Sequence, residues 1–145
     1  MSKLVQALLS GILFTFLLDA FLFVGIKIHY IDLHNIDLYY NVLFADHQNI
    51  YIFAFFTLFI GFLIGYTKFA VAIVGVLFML VSTVFIPSVG ESVGKMILMQ
   101  KNIILKDKKY TYIGDSYYNG RKNVTFYDYQ LKKVIILDKK RLLKD

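Results

Sequence analysis

The sequence predicts a membrane α-helical protein with three transmembrane helices, the second and third forming a tight hairpin, followed by a small C-terminal antiparallel β-sheet domain. Two observations lead to this fold class. The apolar fraction of 58% and the mean hydropathy of +0.61 exceed those of soluble domains, and the excess lies between Leu4 and Val89. The net charge of +6 comes from the C-terminal part of the chain. We therefore expect a transmembrane domain over residues 1–90 and a basic, β-rich extramembrane domain over residues 91–145.

The three predicted spans follow from length. A transmembrane helix needs about 20 mainly apolar residues, since each residue advances it by about 1.5 Å through a core about 30 Å thick. Leu4 to Ile28 meets this length, and the absence of a small-residue cleavage pattern argues against a signal peptide. The run from Ile50 to Ile86 is too long for one crossing. A turn ending at Lys68 divides it and keeps that charge at the membrane surface, and Pro87 ends the third helix.

Each predicted span carries small residues at helical spacing. Small side chains let helix backbones approach closely, and this packing drives helix association in lipid. Because Gly and Ala are common in membrane helices generally, one such stripe is weak evidence, but three together favour a packed bundle or an oligomer. The predicted packing positions are Gly11, Thr15, Gly61, Gly65, Gly75 and Ser82.

Asp19 is the acidic residue that lies well inside an apolar span. A carboxylate exposed to lipid is unfavourable, so this side chain should face other helices, water or a partner. One interpretation is a group that handles protons or cations. The other is an interhelical hydrogen bond, to a hydroxyl side chain of this chain or to a partner subunit.

All three histidines lie in or beside the loop after the first span. Imidazole and carboxylate groups commonly bind zinc, manganese or iron, so a metal site is one interpretation, although the spacing matches no established pattern. We favour the alternative, an interfacial amphipathic segment at residues 29–49 with a short helix from Leu33 onward and tyrosines anchored among the headgroups. The residues of the metal hypothesis are His29, Asp32, His34 and His47.

The tail predicts a four-stranded antiparallel meander with a thin core. Asn119-Gly120 is a strong hairpin signal between the second and third strands. The residues from 138 to 145 form either a short helix or a frayed end. The predicted strands are Lys95–Leu105, Tyr110–Tyr118, Val124–Tyr129 and Lys133–Leu137.

The basic residues of the tail predict contacts with anionic lipid headgroups or with a protein partner. Lys and Arg beside a bilayer gain about 1 kcal/mol each near an anionic surface. Their alternation with tyrosines resembles nucleic-acid stacking surfaces, but tyrosine also suits half-buried strands, so we do not expect nucleic acid as the partner. The residues predicted to make these contacts are Lys95, Lys101, Lys108, Lys109, Arg121 and Lys122.

No motif in the chain identifies a reaction. The absence of cysteine excludes thiolate catalysis and Cys-ligated metals, and the tail has no histidine to activate a nucleophile. We therefore expect neither enzymatic activity nor a cofactor. The favoured function is a non-catalytic accessory, assembly or scaffold subunit that docks on other membrane proteins or on itself. The alternative is a proton- or metal-handling membrane component that uses Asp19 and the loop histidines.

Composition and charge also predict a location. The abundance of Lys, Ile, Phe, Tyr and Asn is typical of A/T-rich bacterial genomes, so we expect a multi-pass protein of the bacterial cytoplasmic (inner) membrane. Lysines near span ends favour the cytoplasmic side. Four of these lysines lie on the same side of the membrane as the tail, and two, Lys3 and Lys68, lie on the opposite side. This count favours a cytoplasmic C-terminal domain.

Overall fold

The computed structural model describes residues 2–143, in which helices precede an antiparallel sheet. The helices are α1 (Lys3–Ile26), which continues as a π-helical turn (Lys27–Ile31), α2 (Tyr40–His47), α3 (Ile50–Tyr66), α4 (Ala70–Ser82), which continues as a 3-10 turn (Thr83–Phe85), and α5 (Pro87–Leu98). The strands are β1 (Gln100–Lys106), β2 (Thr111–Asn119), β3 (Asn123–Asp128) and β4 (Lys133–Asp138).

Helix α1 is the central element of the molecule. Ser2 caps it, since its hydroxyl accepts a hydrogen bond from the Val5 N–H over 3.4 Å. The helix runs through the π-helical turn to Ile31 without a break, a length of 29 residues. At about 1.5 Å per residue it is longer than the core of a bilayer, so its two ends can pack in different environments.

Close backbone contact joins α1 to α3, and the two helices run antiparallel. A Cβ atom added to Gly11 would lie 2.1 Å from the Thr57 carbonyl oxygen, and one added to Gly61 would lie 2.7 Å from the Ala7 carbonyl oxygen. One added to Gly65 would meet the Ala7 side chain at 3.0 Å. Only glycine fits the first two positions, because backbone atoms of the opposite helix occupy the space of a side chain.

Helix α4 contacts α1 through aromatic rings instead of small residues. Phe78 meets Phe14 and Phe21 edge to face, with ring centroids 6.2 and 5.8 Å apart. Gly75 has no heavy atom within 4 Å of an added Cβ, and Ser82 is exposed. Of the predicted packing positions, those on α1 and α3 therefore lie buried or in contact, whereas the two on α4 do not.

The third helix ends before Pro87, as expected from the sequence, but Pro87 also begins a further helix that the sequence analysis does not predict. Helix α4 ends at Ser82, and Pro87 is the first residue of α5, whose axis is turned 93° from that of α4 and its 3-10 turn. Proline suits the first turn of a helix because its missing N–H would have no partner there. The start predicted for the first strand is wrong, because Lys95 lies in α5 and β1 begins at Gln100.

The second half of α1 forms a compact core with α2, α5 and the sheet, here called the collar core. The glycines of α5 let it cross α1 closely, because a Cβ on Gly94 would lie 2.4 Å from Tyr30. The short helix expected from Leu33 is displaced to Tyr40, and Leu33 itself is exposed. The buried members of the collar core are Phe23, Ile26, Tyr30, Ile31, Ile36, Leu43, Val84, Leu98 and Tyr118.

The four strands pair in chain order as an antiparallel meander, which confirms the predicted sheet. Phe126 in β3 is fully buried opposite Ile135 of β4. The sheet curls so that the segment after β4 returns to the end of β1, where Leu142 forms an antiparallel bridge with Asp107. The predicted helical or frayed end lies partly here, in turns before Leu142, and partly outside the described residues.

Among residues 2–143, α1 with its continuation is the helix long and apolar enough to cross a membrane by itself. The α2–α3 and α4–α5 pairs pass the same test only if each bent pair is counted together, with bends of 86° and 93°. A helical chain with one clear candidate span and a four-stranded sheet is thus confirmed. Three spans remain a prediction.

Candidate functional site

Helix α3 packs closely on α1, whereas α4 makes fewer contacts with α1 and with α3 and leaves a cleft between α3 and α4. At the end of the cleft that is formed by the start of α3 and the end of α4 lies a mainly apolar cavity of about 220 Å³. Asp19 of α1 is the ionisable residue at this cavity, and the residues around it are aliphatic, aromatic or hydroxyl side chains. Its walls include Thr15, Leu18 and Leu22 from α1, Ile52 and Phe56 from α3, and Leu77, Leu80 and Val81 from α4.

The start of α3 positions a partner for the Asp19 carboxylate. Asn49 caps α3 by accepting a hydrogen bond from the Tyr51 N–H over 2.9 Å. This places Gln48 beside α1, where its amide Nε2 donates to Asp19 Oδ2 over 3.1 Å. Asp19 therefore lies level with the first residues of α3, nearer the collar core than its place in the apolar run suggests. Sequence reasoning singled out Asp19 but not Gln48.

The loop histidines are turned toward tyrosine rings. His34 Nδ1 lies 2.8 Å from the Tyr30 carbonyl oxygen, and its ring centroid is 4.6 Å from the rings of both Tyr30 and Tyr117. His47 packs on Tyr118 with ring centroids 5.6 Å apart.

The remaining residues of the metal hypothesis lie elsewhere. His29 packs beside Gly90 of α5, and Asp32 forms an ion pair with Lys27. Within the part of the chain that the structure describes, no three His, Asp or Glu side chains gather closely enough to hold a metal ion.

The sheet is joined to the helices by two polar contacts. Arg121 Nε donates to both carboxylate oxygens of Asp46, over 3.0 and 2.9 Å, and Nη2 of the same guanidinium contacts Oδ1. These hydrogen bonds lower the pKa of the Asp46 carboxyl. The Tyr30 hydroxyl donates to the Tyr117 carbonyl oxygen over 2.7 Å. Arg121, predicted to meet lipid or a partner, is thus engaged within the chain.

The other basic residues predicted to make external contacts lie in different settings. Lys95 pairs with Glu91 one turn earlier on α5, at 2.5 Å. Lys101 and Lys122 are exposed. Lys108 and Lys109 line a groove at the β1–β2 turn together with residues near the C-terminus that sequence reasoning did not single out. No local pattern brings these two segments together, because they meet only through the curl of the sheet.

Across residues 2–143, the fold is that of a helical protein with one helix long and apolar enough to cross a membrane and a basic four-stranded sheet. A scan against protein-family models, a search of curated proteins and a search of solved structures each find no match to this chain.

Proposed function

We propose that the chain is a non-catalytic accessory or assembly subunit of a larger membrane complex, in which α1, α3 and α4 span the bilayer. The helices α2 and α5 then lie along the membrane surface on the side of the sheet. The partner is another membrane protein, one of whose helices enters the α3–α4 cleft.

The exposed surface of the hairpin helices supports the three-span part of the proposal. Leu58 on α3 is 65% exposed, and Val71 and Met79 on α4 are 87% and 74% exposed. Apolar surface in water is unfavourable by about 25 cal/mol per Å², so residues of this kind in such number belong in lipid or in an interface. Lys68 at the turn between the helices is exposed, as a charge at the opposite membrane surface would be.

The main support for a partner helix in the cleft is the position of Asp19 at the wall of the cleft. The Gln48 hydrogen bond satisfies one carboxylate oxygen, while the cavity beside it is apolar and open between two helices. Lipid chains have no hydrogen-bond donor for a carboxylate, so a lipid chain is a poor occupant of the cleft. A partner helix with a cationic or hydrogen-bond-donating side chain at this depth complements both the apolar walls and the acid.

Cysteine cross-linking tests this proposal, because the chain contains no native cysteine. Ile52→Cys and Leu80→Cys place a photo-reactive label on opposite walls of the cleft. Met79→Cys, on the same helix but facing away and 74% exposed, is the matched control. We expect both cleft positions to cross-link in native membranes to one membrane protein identified by mass spectrometry, and the control to give much less. Equal adducts at all three positions, or adducts with lipid alone, would contradict the proposal.

The proposed location is the bacterial cytoplasmic membrane, with the sheet in the cytoplasm. The lysines that support this orientation lie at the collar end of α1 and in the segment entering the sheet, which are Lys27, Lys95, Lys101 and Lys106. Reporter domains fused to either terminus, active only on one side of the membrane, would decide the orientation.

A proton-handling component is the second candidate, favoured by the same Asp19 beside an apolar cavity. It differs from the first in needing a carboxyl group, whereas assembly needs only a hydrogen-bonding group of similar size. The metal-handling version has no comparable support, because His34 and His47 face tyrosine rings and His29 packs beside Gly90.

A further inference from the structure

The curled sheet encloses a groove that the proposed function does not use. It lies where the β1–β2 turn faces the segment after β4, and its volume is about 470 Å³. Four cationic side chains, two phenol groups and one carboxylate line it. These residues are Lys108, Lys109, Tyr110, Tyr112, Lys140, Arg141 and Asp107.

Backbone hydrogen bonds hold the two walls of the groove together. The Asp107 N–H donates to the Tyr110 carbonyl oxygen over 2.8 Å and closes the β1–β2 turn. The Leu143 N–H donates to the Lys106 carbonyl oxygen over 2.8 Å, next to the bridge between Asp107 and Leu142. The cationic side chains therefore project from two turns that are fixed relative to each other.

The four cationic side chains outnumber the one carboxylate of the groove, and none of them forms an ion pair with a residue in the range 2–143. The ion pairs found in residues 2–143 involve Lys27, Lys95 and Arg121, none of which belongs to the groove. The Asp107 carboxylate accepts a hydrogen bond from the Lys108 N–H over 2.5 Å, so it is directed at its own turn. Four like charges around one concavity raise the local concentration of anions.

From this arrangement we infer that the groove is a binding site for a phosphate-bearing anion. Arg141 supplies the planar, two-pronged donor that phosphate oxygens accept, the three lysines supply point charges, and the Tyr110 and Tyr112 hydroxyls supply neutral donors. The phosphate belongs either to a soluble compound or to a lipid headgroup. The site is independent of the α3–α4 cleft, and its test is independent of partner binding.

Full-length protein in uncharged detergent, titrated calorimetrically with inorganic pyrophosphate and separately with short-chain phosphatidic acid, tests this site. The double variant Lys140→Gln, Arg141→Gln removes two of its charges. The matched control is Lys132→Gln, Lys133→Gln at the β3–β4 turn, which removes the same charge outside the groove. We expect the groove variant to weaken binding about tenfold or more, as loss of charge-assisted hydrogen bonds does, and the control to change it less than about twofold.

A third variant, Tyr110→Phe, keeps the charge of the groove and removes one hydroxyl. A loss of affinity in this variant would show that the phosphate is held by specific hydrogen bonds and not only by the net positive charge. Saturable binding of pyrophosphate would assign a soluble phosphate, and binding of phosphatidic acid alone would assign a headgroup. Equal weakening by the groove variant and its control, or no saturation with either probe, would overturn the inference.

Discussion

At the scale of single residues, Gly11 and Gly75 are a matched pair. Both lie in apolar helices, but a Cβ on Gly11 meets the Thr57 carbonyl oxygen at 2.1 Å, whereas one on Gly75 meets nothing within 4 Å. Gly11→Ala forces backbones apart and should destabilise the detergent-solubilised protein by about 1–3 kcal/mol. Gly75→Ala should be neutral or stabilise it by up to about 1 kcal/mol through helix propensity. Thermal unfolding followed by circular dichroism measures both, and equal effects would refute the α1–α3 contact.

Asp19 separates the two candidate functions. Asp19→Asn keeps a polar group beside Gln48 but cannot carry a proton, and Asp19→Leu keeps neither property. If the chain is an assembly subunit whose partner donates a hydrogen bond, Asn should retain most of the cross-linking from Leu80→Cys and Leu should abolish it. Wild-type cross-linking in the Leu variant would show that the partner does not recognise the carboxylate. Full assembly with loss of function in the Asn variant would favour proton handling.

How far the surroundings of a residue can be predicted from sequence depends on how far away its neighbours are along the chain. Asp19 is identifiable as special because an acid in an apolar run is unusual wherever it packs. The Asp46–Arg121 pair is not predictable, since 75 residues separate its members and both are ordinary surface types. The same holds for Lys140 and Arg141, whose place in the groove depends on the curl of the sheet.

At the scale of elements, the second to fourth strands are predicted to within one residue at each end, whereas the first strand is predicted to begin five residues too early. Strand β4 begins at the predicted Lys133, because alternation and turn residues are local signals. Helix α5 is missed because proline both ends one helix and suits the first turn of the next, and only the first role is assigned to Pro87. The spacing of Gly90, Gly94 and Leu98, each four residues apart and each buried, is the helical signal that the sequence contains.

The contact between α2 and the β2–β3 turn should depend on pH through Asp46. Its pKa is lowered in the folded chain, so the Arg121 contact contributes fully above the ordinary carboxyl pKa and is lost as the pH falls through the folded value. Arg121→Gln should therefore lower the unfolding midpoint at neutral pH, and the difference from wild type should shrink below the ordinary carboxyl pKa and vanish once the pH is below the lowered pKa of the folded chain. Lys122→Gln, the exposed neighbour, should have no such pH-dependent effect. A difference that persists in acid would exclude Asp46 as the partner.

At the scale of the whole molecule, the three proposed spans would place the α3–α4 turn and the sheet on opposite sides of the membrane. Lys68→Cys and Lys132→Cys should then react with a membrane-impermeant maleimide from opposite sides of sealed vesicles, in a chain that has no other cysteine. Ser2→Cys should behave like Lys68→Cys, because the first and second spans run antiparallel. Reaction of Lys68→Cys from the same side as Lys132→Cys, with Ser2→Cys on the opposite side, would show that α3 and α4 form a re-entrant hairpin instead.

The unbroken course of α1 has a mechanical consequence. Its first half packs against α3 through glycines, and its second half carries Tyr30, whose hydroxyl holds β2 at Tyr117. In the proposed membrane position, one continuous helix therefore links a contact inside the bilayer to a sheet outside it. A tilt of α1 at the α3 contact would then displace the sheet, and the cationic groove with it, by a larger distance.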